Sequence, residues 1–293
     1  MTQLLDGNAL AYEFRKEITT EVNQLKKAGY DAPHLAAVLV GEDPASQAYV
    51  RNKVKDCQNV GFRSSLEQLP HNASQEELLE LIHRLNRYTS VDGFIVQLPL
   101  PPHIDAQEVI LAIHPDKDVD GFHPMNVGKM ALDIETFLPA TPSGILSLLK
   151  RYLIDTQGKH TVIIGRSAIV GKPMSILMAR KALPGNSTVT LAHSFTPDVI
   201  KFTRQADIVI TALGVPGFLK ADMIRKNAVV IDVGVTRVKD NSSSRGYRLA
   251  GDVDFESVYG KASYLTPVPG GVGPLTRAML LKNTLWAVKR RKF

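Results

Sequence analysis

Thr161-Val162-Ile163-Ile164-Gly165-Arg166-Ser167-Ala168-Ile169-Val170-Gly171-Lys172-Pro173 opens on an apolar, β-branched run that stops at Gly165, with a second glycine at Gly171. β-Branched residues suit a buried strand, and glycine permits the tight turn that leads from it into a helix. A turn of this kind leaves backbone N–H groups and a positive helix end facing outward, a geometry that binds phosphate. A plain structural connection between strand and helix has the same pattern. Five residues separate the two glycines where a Walker A loop has four, and Pro173 replaces the Ser or Thr that would hold magnesium. The nucleoside-triphosphate reading therefore fails. G-x-G-x-x-G is absent too, which leaves only the strand–turn–helix setting of a dinucleotide site.

The residues that follow narrow the choice. A site preferring NAD places Asp or Glu about 20 residues beyond such a turn, to bond the ribose 2′-hydroxyl. Between Gly165 and Pro197 there is no acidic residue, and the next strand, Thr188-Val189-Thr190-Leu191, runs into Ala192-His193-Ser194. With Arg166 in the turn, this arrangement suits a 2′-phosphate. If the segment binds a dinucleotide, NADP is expected over NAD.

Working outward, helices and strands alternate along the chain, the pattern of an α/β fold with mainly parallel sheets. Helices are expected over 8–28, 74–87, 106–113, 143–154, 172–182, 197–204 and 275–289. Strands are expected over 35–40, 93–97, 161–165, 187–192, 207–212, 228–232 and 263–265, with a short helix near 220–226. Asp43 and Pro44 open a further helix, as N-cap and first helical residue, and Gly61 closes it. Residues 115–142, rich in proline and glycine, read as a crossing between domains, and Lys239–Tyr247 as a polar surface excursion. With 293 residues, 44% hydrophobic and 22% charged, the composition excludes disordered, collagenous and membrane-spanning classes. The single cysteine, Cys57, excludes a disulfide framework or a multi-cysteine metal site. The first ten residues show no secretory signal.

Several segments hold chemistry-bearing side chains. Tyr49 and Lys53, four apart, share one edge of a helix whose core stripe is Val50, Val54 and Cys57. An aromatic ring and an amine at a cleft edge suit a flat ligand whose protons must move, although such a pair is more often simply surface. Gln97 ends a strand in Val96-Gln97-Leu98-Pro99-Leu100-Pro101, where α/β sheets collect ligands. Asp116-Lys117-Asp118-Val119-Asp120-Gly121 begins like a calcium loop but has Val127 where the bidentate glutamate belongs, and His123 and Pro124 fit poorly. The histidines are scattered, and no metal site is expected. Thr266-Pro267-Val268-Pro269-Gly270-Gly271-Val272-Gly273-Pro274 permits close backbone approach to a flat ligand, or serves as a rigid connector.

Together these segments resemble the bifunctional methylenetetrahydrofolate dehydrogenase/cyclohydrolase family. Further matching stretches are Leu5-Asp6-Gly7, Gly41-Glu42-Asp43-Pro44-Ala45-Ser46, Lys117-Asp118-Val119-Asp120-Gly121-Phe122, Pro139-Ala140-Thr141-Pro142 and Val233-Gly234. The resemblance implies an α/β protein of two domains, an N-terminal α/β substrate domain and a Rossmann-like NADP-binding domain, with the active-site cleft between them. The expected division is 1–138 for folate and catalysis, 139–276 for NADP, and 277–293 as a C-terminal helix packing back on the first domain. The implied activity is oxidation of 5,10-methylenetetrahydrofolate to the methenyl form with NADP, then hydrolysis to 10-formyltetrahydrofolate, in one-carbon metabolism and purine biosynthesis. On the family's pattern Lys53 handles protons, Tyr49 stacks on the folate, Gln97 bonds to Lys53 and Asp120 anchors the pterin. Val96, Leu98, Pro267, Gly270 and Gly271 complete the folate site. Gly165, Arg166 and Ser167 meet the cofactor phosphates, Ser194 the 2′-phosphate, and Val235 lies by the nicotinamide. A homodimer is implied, with folate, with or without a polyglutamate tail, as substrate; the lack of a secretory signal and of a long apolar stretch makes a cytoplasmic location the expectation.

Two other readings compete. A shikimate-like or amino-acid-like oxidoreductase would need an arginine clamp for a small acid, which the Tyr49, Lys53, Gln97 and Asp120 set does not supply. Nucleic-acid binding would need a basic face interleaved with aromatics, and aromatics are only 6% of the chain. Neither nucleic acid nor membrane is expected as a partner. The net charge is +6, of which Lys289-Arg290-Arg291-Lys292 supplies +4, which reads as a solvated helix end.

Overall fold

The computed structural model describes residues 1–243 and 246–292. In chain order the elements are β1 (Gln3–Leu4), α1 (Gly7–Lys27), β2 (His34–Val40), α2 (Pro44–Val60), β3 (Arg63–Leu69), α3 (Gln75–Arg87), β4 (Gly93–Val96), α4 (Ala106–Ala112) and α5 (Pro124–Ala131). They continue as α6 (Ala140–Arg151), β5 (His160–Ile164), α7 (Gly171–Ala179), β6 (Thr188–Ala192), α8 (Val199–Thr203), β7 (Ile208–Thr211) and β8 (Val229–Asp232). Last come the hairpin β9 (Thr236–Lys239) and β10 (Tyr247–Ala250), then α9 (Phe255–Val258), β11 (Tyr264–Leu265) and α10 (Val272–Lys292).

The chain divides into two compact units: Tyr12–Ala140 with the residues from Arg277 on, and Met1–Ala11 with Thr141–Thr276. The placement of Met1–Ala11 differs from the expected division, which kept residues 1–138 together. The reason is local pairing. β1 is a parallel partner of β11, and the N–H groups of Gly7 and Asn8 both donate to Gly270 O.

The first unit is built on a parallel sheet in the order β3-β2-β4. β2 is apolar along its length because both of its faces are covered. Leu35, Ala37 and Leu39 face one core, with Ile18, Val22, Val50, Cys57 and Leu281; Ala36, Val38 and Val40 face another, with Leu78, Ile82, Phe94 and Val109. α2 begins as its sequence dictates: Asp43 accepts from Ser46 N, Pro44 is the first helical residue, and Gly61 closes the helix at φ +82°. β3, an edge strand with half-exposed polar residues, carries no apolar run and was not foreseen. Neither was α5, within the stretch read as a crossing. Its signal was present: His123 is the N-cap, accepting from Met125 N, and Pro124 follows it.

The second unit holds a six-stranded, all-parallel sheet in the order β1-β11-β8-β7-β5-β6. From β5 the chain passes to β6 on one side and then to β7 on the other, the strand-order reversal outside which α/β proteins bind ligands. The central strands β5, β7 and β8 are buried almost throughout. The excursion over Lys239–Tyr247 is the tip of the β9–β10 hairpin; Ser244 and Arg245 lie outside the described residues. Among the described residues no helix is long and apolar enough to cross a membrane.

Candidate active site

In the first unit, α2, β4 and the loop after α4 bring Lys53, Gln97 and Asp120 together. Gln97 is fixed at both ends of its residue. Its backbone N–H donates to Val38 O at 2.9 Å, extending the sheet by one bond, and its Nε2 donates to Leu98 O at 2.6 Å. With the amide so oriented, Oε1 must face the other way, where it accepts from Lys53 Nζ at 3.3 Å. Burial pushes the Lys53 pKa down, against the opposing pull of Asp120. Burial raises the Asp120 carboxyl to about 6, opposed by Lys53 and reinforced by Asp118. An amine whose pKa is lowered, beside a carboxyl whose pKa is raised, is a pair suited to handling protons. Tyr49 lies one helical turn before Lys53 and is 48% exposed, its ring free to meet a ligand. Val96, Leu98 and Asp120 line a small cavity with Phe122. Cys57, also on α2, is buried and its thiol is pushed up to about 12, so it packs and does not react.

The Asp120 loop is held by residues whose part the sequence did not reveal. Asp118, buried, accepts from Phe122 N, His123 N and Asn126 Nδ2 at 3.2, 2.8 and 2.8 Å. What resembles half a calcium loop is thus a carboxylate that organises its own backbone. Lys117 Nζ donates to Leu85 O and Tyr88 O, and Asn283 Nδ2 donates to Val119 O and Leu138 O. Gly121 has φ +75°, and a Cβ on it would come within 2.7 Å of Pro139 N. Among the described residues no group of three His, Cys, Asp or Glu could hold a metal ion. A wider groove between β3 and α3, lined by Glu67, Glu77, Glu80, His83 and Arg84, contains none of the residues singled out from the sequence.

In the second unit the βα turn is bounded by two glycines, neither of which has room for a side chain. Gly165 has φ +120° and a Cβ on it would sit 2.3 Å from Ala212 O; a Cβ on Gly171 would sit 1.9 Å from Gly165 O. The Ser167 hydroxyl accepts from Val170 N and Gly171 N at 3.2 and 3.4 Å, shaping the turn. Arg166 is exposed, with its guanidinium 5.6 Å from the centre of the Phe195 ring, itself 80% exposed beside Ser194. An open turn, an exposed guanidinium and no carboxylate before Asp198 fit a dinucleotide bearing a 2′-phosphate. Val235 is exposed just beyond β8. Pro267, Gly270 and Gly271 lie in the loop between β11 and α10; a Cβ on Gly7 would meet Gly271 O at 1.7 Å, so the start of α1 closes on that loop.

A strand-order reversal with an open phosphate-binding turn defines a dinucleotide-binding α/β protein, here with a separate α/β unit bearing a buried lysine. Comparison with known proteins then fixes the family. The model "Tetrahydrofolate dehydrogenase/cyclohydrolase, catalytic domain" matches residues 5–120, and "Tetrahydrofolate dehydrogenase/cyclohydrolase, NAD(P)-binding domain" matches 139–292. The chain belongs to the tetrahydrofolate dehydrogenase/cyclohydrolase family. The bifunctional protein FolD of Flavobacterium johnsoniae is 62% identical over 289 residues, 99% of this chain and 98% of that protein. The structure of the bifunctional enzyme from Campylobacter jejuni is similar at a TM-score of 0.93 and 46% identity, covering 99% of this chain and all of that one. The Trypanosoma brucei enzyme, complexed with NADP cofactor and inhibitor, is similar at a TM-score of 0.94 and 41% identity, covering 99% and 98%.

Proposed function

We propose that Lys53 is the proton-handling residue of an enzyme that oxidises 5,10-methylenetetrahydrofolate with NADP and hydrolyses the methenyl product to 10-formyltetrahydrofolate. The observation that carries this is the Lys53–Gln97 hydrogen bond with Asp120 acting on the same buried amine. Both activities stand in the family's description, and relatives at about 60% identity are named as bifunctional.

NADP, when bound, supplies the electron acceptor for the first reaction. Gly165, Arg166 and Ser167 would hold its phosphates, Ser194 with Arg166 its 2′-phosphate, and Val235 the nicotinamide side. This oxidation needs alignment more than acid or base, so here the chain acts by positioning.

Hydrolysis has a different demand. Water adds to the cationic methenyl carbon and loses one proton, leaving a hydroxyl. As the bond from that carbon to one ring nitrogen breaks, the hydroxyl gives up its proton to become the formyl carbonyl and the nitrogen takes one up, so that one proton is released overall. Lys53, with its affinity for protons lowered by burial, can take the first proton and return the second. Gln97 holds the amine in place and Asp120 anchors the pterin, with Tyr49 stacked on the folate and Val96 and Leu98 beside it. The enzyme works as a cytoplasmic homodimer on a folate that can bear a polyglutamate tail; the dimer and the tail rest on the family resemblance.

The test is incubation of the purified protein with 5,10-methylenetetrahydrofolate and NADP, following NADPH and methenyl-folate separately. NADPH should accumulate while methenyl-folate stays low, because it is consumed. Accumulation of methenyl-folate in stoichiometric amount would remove the hydrolase half of the reading.

A further inference from the structure

Two buried carboxylates in the second unit have no place in the chemistry described so far. Asp232 ends β8 and is 3% exposed; Asp252 follows β10 and is fully buried. The Asp252 carboxylate accepts from Leu213 N at 2.6 Å and Val215 N at 2.8 Å, two amides in the loop after β7. Asp232 accepts from Asp252 N, Gly234 N and the Thr211 hydroxyl on Oδ1, at 2.9, 3.1 and 3.3 Å, and from Val253 N on Oδ2 at 2.9 Å. Its own N–H donates to the Thr266 hydroxyl at 2.6 Å, at the mouth of the glycine loop. Glycines make room for both side chains. A Cβ on Gly234 would lie 2.2 Å from Asp252 Oδ1, and one on Gly251 would lie 1.9 Å from Asp232 Oδ2.

The location gives this network its meaning. Beyond the β5/β7 reversal, the loops after β7 and β8 flank the half of a bound dinucleotide that lies away from β6. The Leu213, Val215 and Gly234 amides lie just past the last sheet hydrogen bonds, Ala212 N to Ile164 O and Val233 N to Thr211 O. A carboxylate accepts several N–H bonds at once, more strongly than a neutral group would. We propose that Asp252 and Asp232 are positioning residues for the nicotinamide half of NADP, holding Leu213–Val215 and Val233–Val235 as one rigid cradle without touching the reacting atoms. The proposal rests on the NADP reading above.

Asp252→Asn keeps the shape but turns an NH2 toward one of the two loop amides. Three readouts apply: NADPH affinity from its fluorescence, hydrogen exchange at the Leu213, Val215 and Gly234 amides, and the ratio of dehydrogenase to methenyl-folate hydrolysis. The expected result is NADPH affinity about tenfold weaker and faster exchange at those amides, from one buried acceptor lost. Dehydrogenase turnover should fall while hydrolysis holds within about twofold, since it depends on Lys53 and not on ring alignment. Equal loss of both activities in step with the folded fraction, or unchanged affinity and exchange, overturns the proposal. Should Asp252→Asn fail to fold, the near-isosteric Thr211→Val removes only one donor to Asp232, and smaller shifts in the same direction are required of it. The affinity and exchange readouts need no folate, so a wild type that binds NADPH but does not act on folate sinks the functional reading while the cradle is still judged on its own measurements.

Discussion

Lys53 is where the two reactions part company. Lys53→Met keeps the length and apolar stem of the side chain and removes only the amine, so packing on α2 should survive. Hydrolysis of methenyl-folate should fall by about 10²-fold or more, the usual worth of a positioned acid–base group, while part of the dehydrogenase activity remains. Unchanged hydrolysis in stopped-flow assays would remove Lys53 from the mechanism. The pH dependence follows from the two neighbours. Acid protonates the Lys53 amine as pH falls through its lowered pKa, and protonates Asp120 near about 6. Both changes act in one direction, so hydrolysis should decline on the acid side. Because Asp120 pulls the Lys53 pKa up, Asp120→Asn should move the acid limb of the residual hydrolysis to lower pH at saturating substrate. An acid limb displaced to higher pH would contradict the pairing.

At the scale of elements, the sequence was most legible where one local rule decides the outcome. The Asp43–Pro44 start and Gly61 stop of α2, the doubly buried β2, and the β5–turn–α7 unit all follow from capping, periodicity and glycine conformation. Elements stabilised by tertiary pairing were not visible: β1 is two residues long and exists because β11 lies beside it, and β3 is polar along an edge. The site divides the same way. Spacing put Tyr49 and Lys53 on one edge of a helix but left plain surface as the commoner reading, and only the family resemblance gave them roles; the part of Asp118 is set by a backbone that folds around it from Phe122 to Asn126. The Asp232–Asp252 network, which joins segments up to 39 residues apart in sequence, had no local signal at all. The β5–α7 turn offers a prediction at this scale. In Gly165→Ala the new Cβ meets the backbone carbonyl of Ala212, which no rotamer change can relieve, at a φ of +120° that L-residues avoid. The turn must shift, so NADPH binding measured by calorimetry should weaken by about tenfold or more, at a stability cost of about 1–3 kcal/mol. Binding at wild-type affinity would mean that the turn is not the phosphate site.

For the chain as a whole, the basic balance has a different meaning in the structure than in the sequence. The C-terminal cluster read as a solvated helix end, but Lys289 is engaged with Glu21, Arg290 with Asp116 and the faces of Trp286 and Phe137, and Arg291 with Asp92 and Thr89 O. Arg291 matters most, because Asp92 is buried and spends its other oxygen on His34 N at the start of β2. The last turn of α10 thereby fastens to the beginning of the central strand of the first unit, joining residues 199 apart in sequence. Exposed pairs such as Lys289–Glu21 contribute little, since water and salt screen them. Removing the partner of a buried carboxylate is different, because the remaining charge must stay unpaired or take up a proton. Arg291→Ala should therefore lower stability by about 1–3 kcal/mol, the cost of an unsatisfied buried group, and Lys289→Ala by well under 1 kcal/mol. Thermal unfolding of the two variants at low and high salt distinguishes them. The Arg291 deficit should persist in salt, while NADPH affinity is unchanged. Equal, salt-sensitive losses in both variants would show the cluster to be ordinary surface charge.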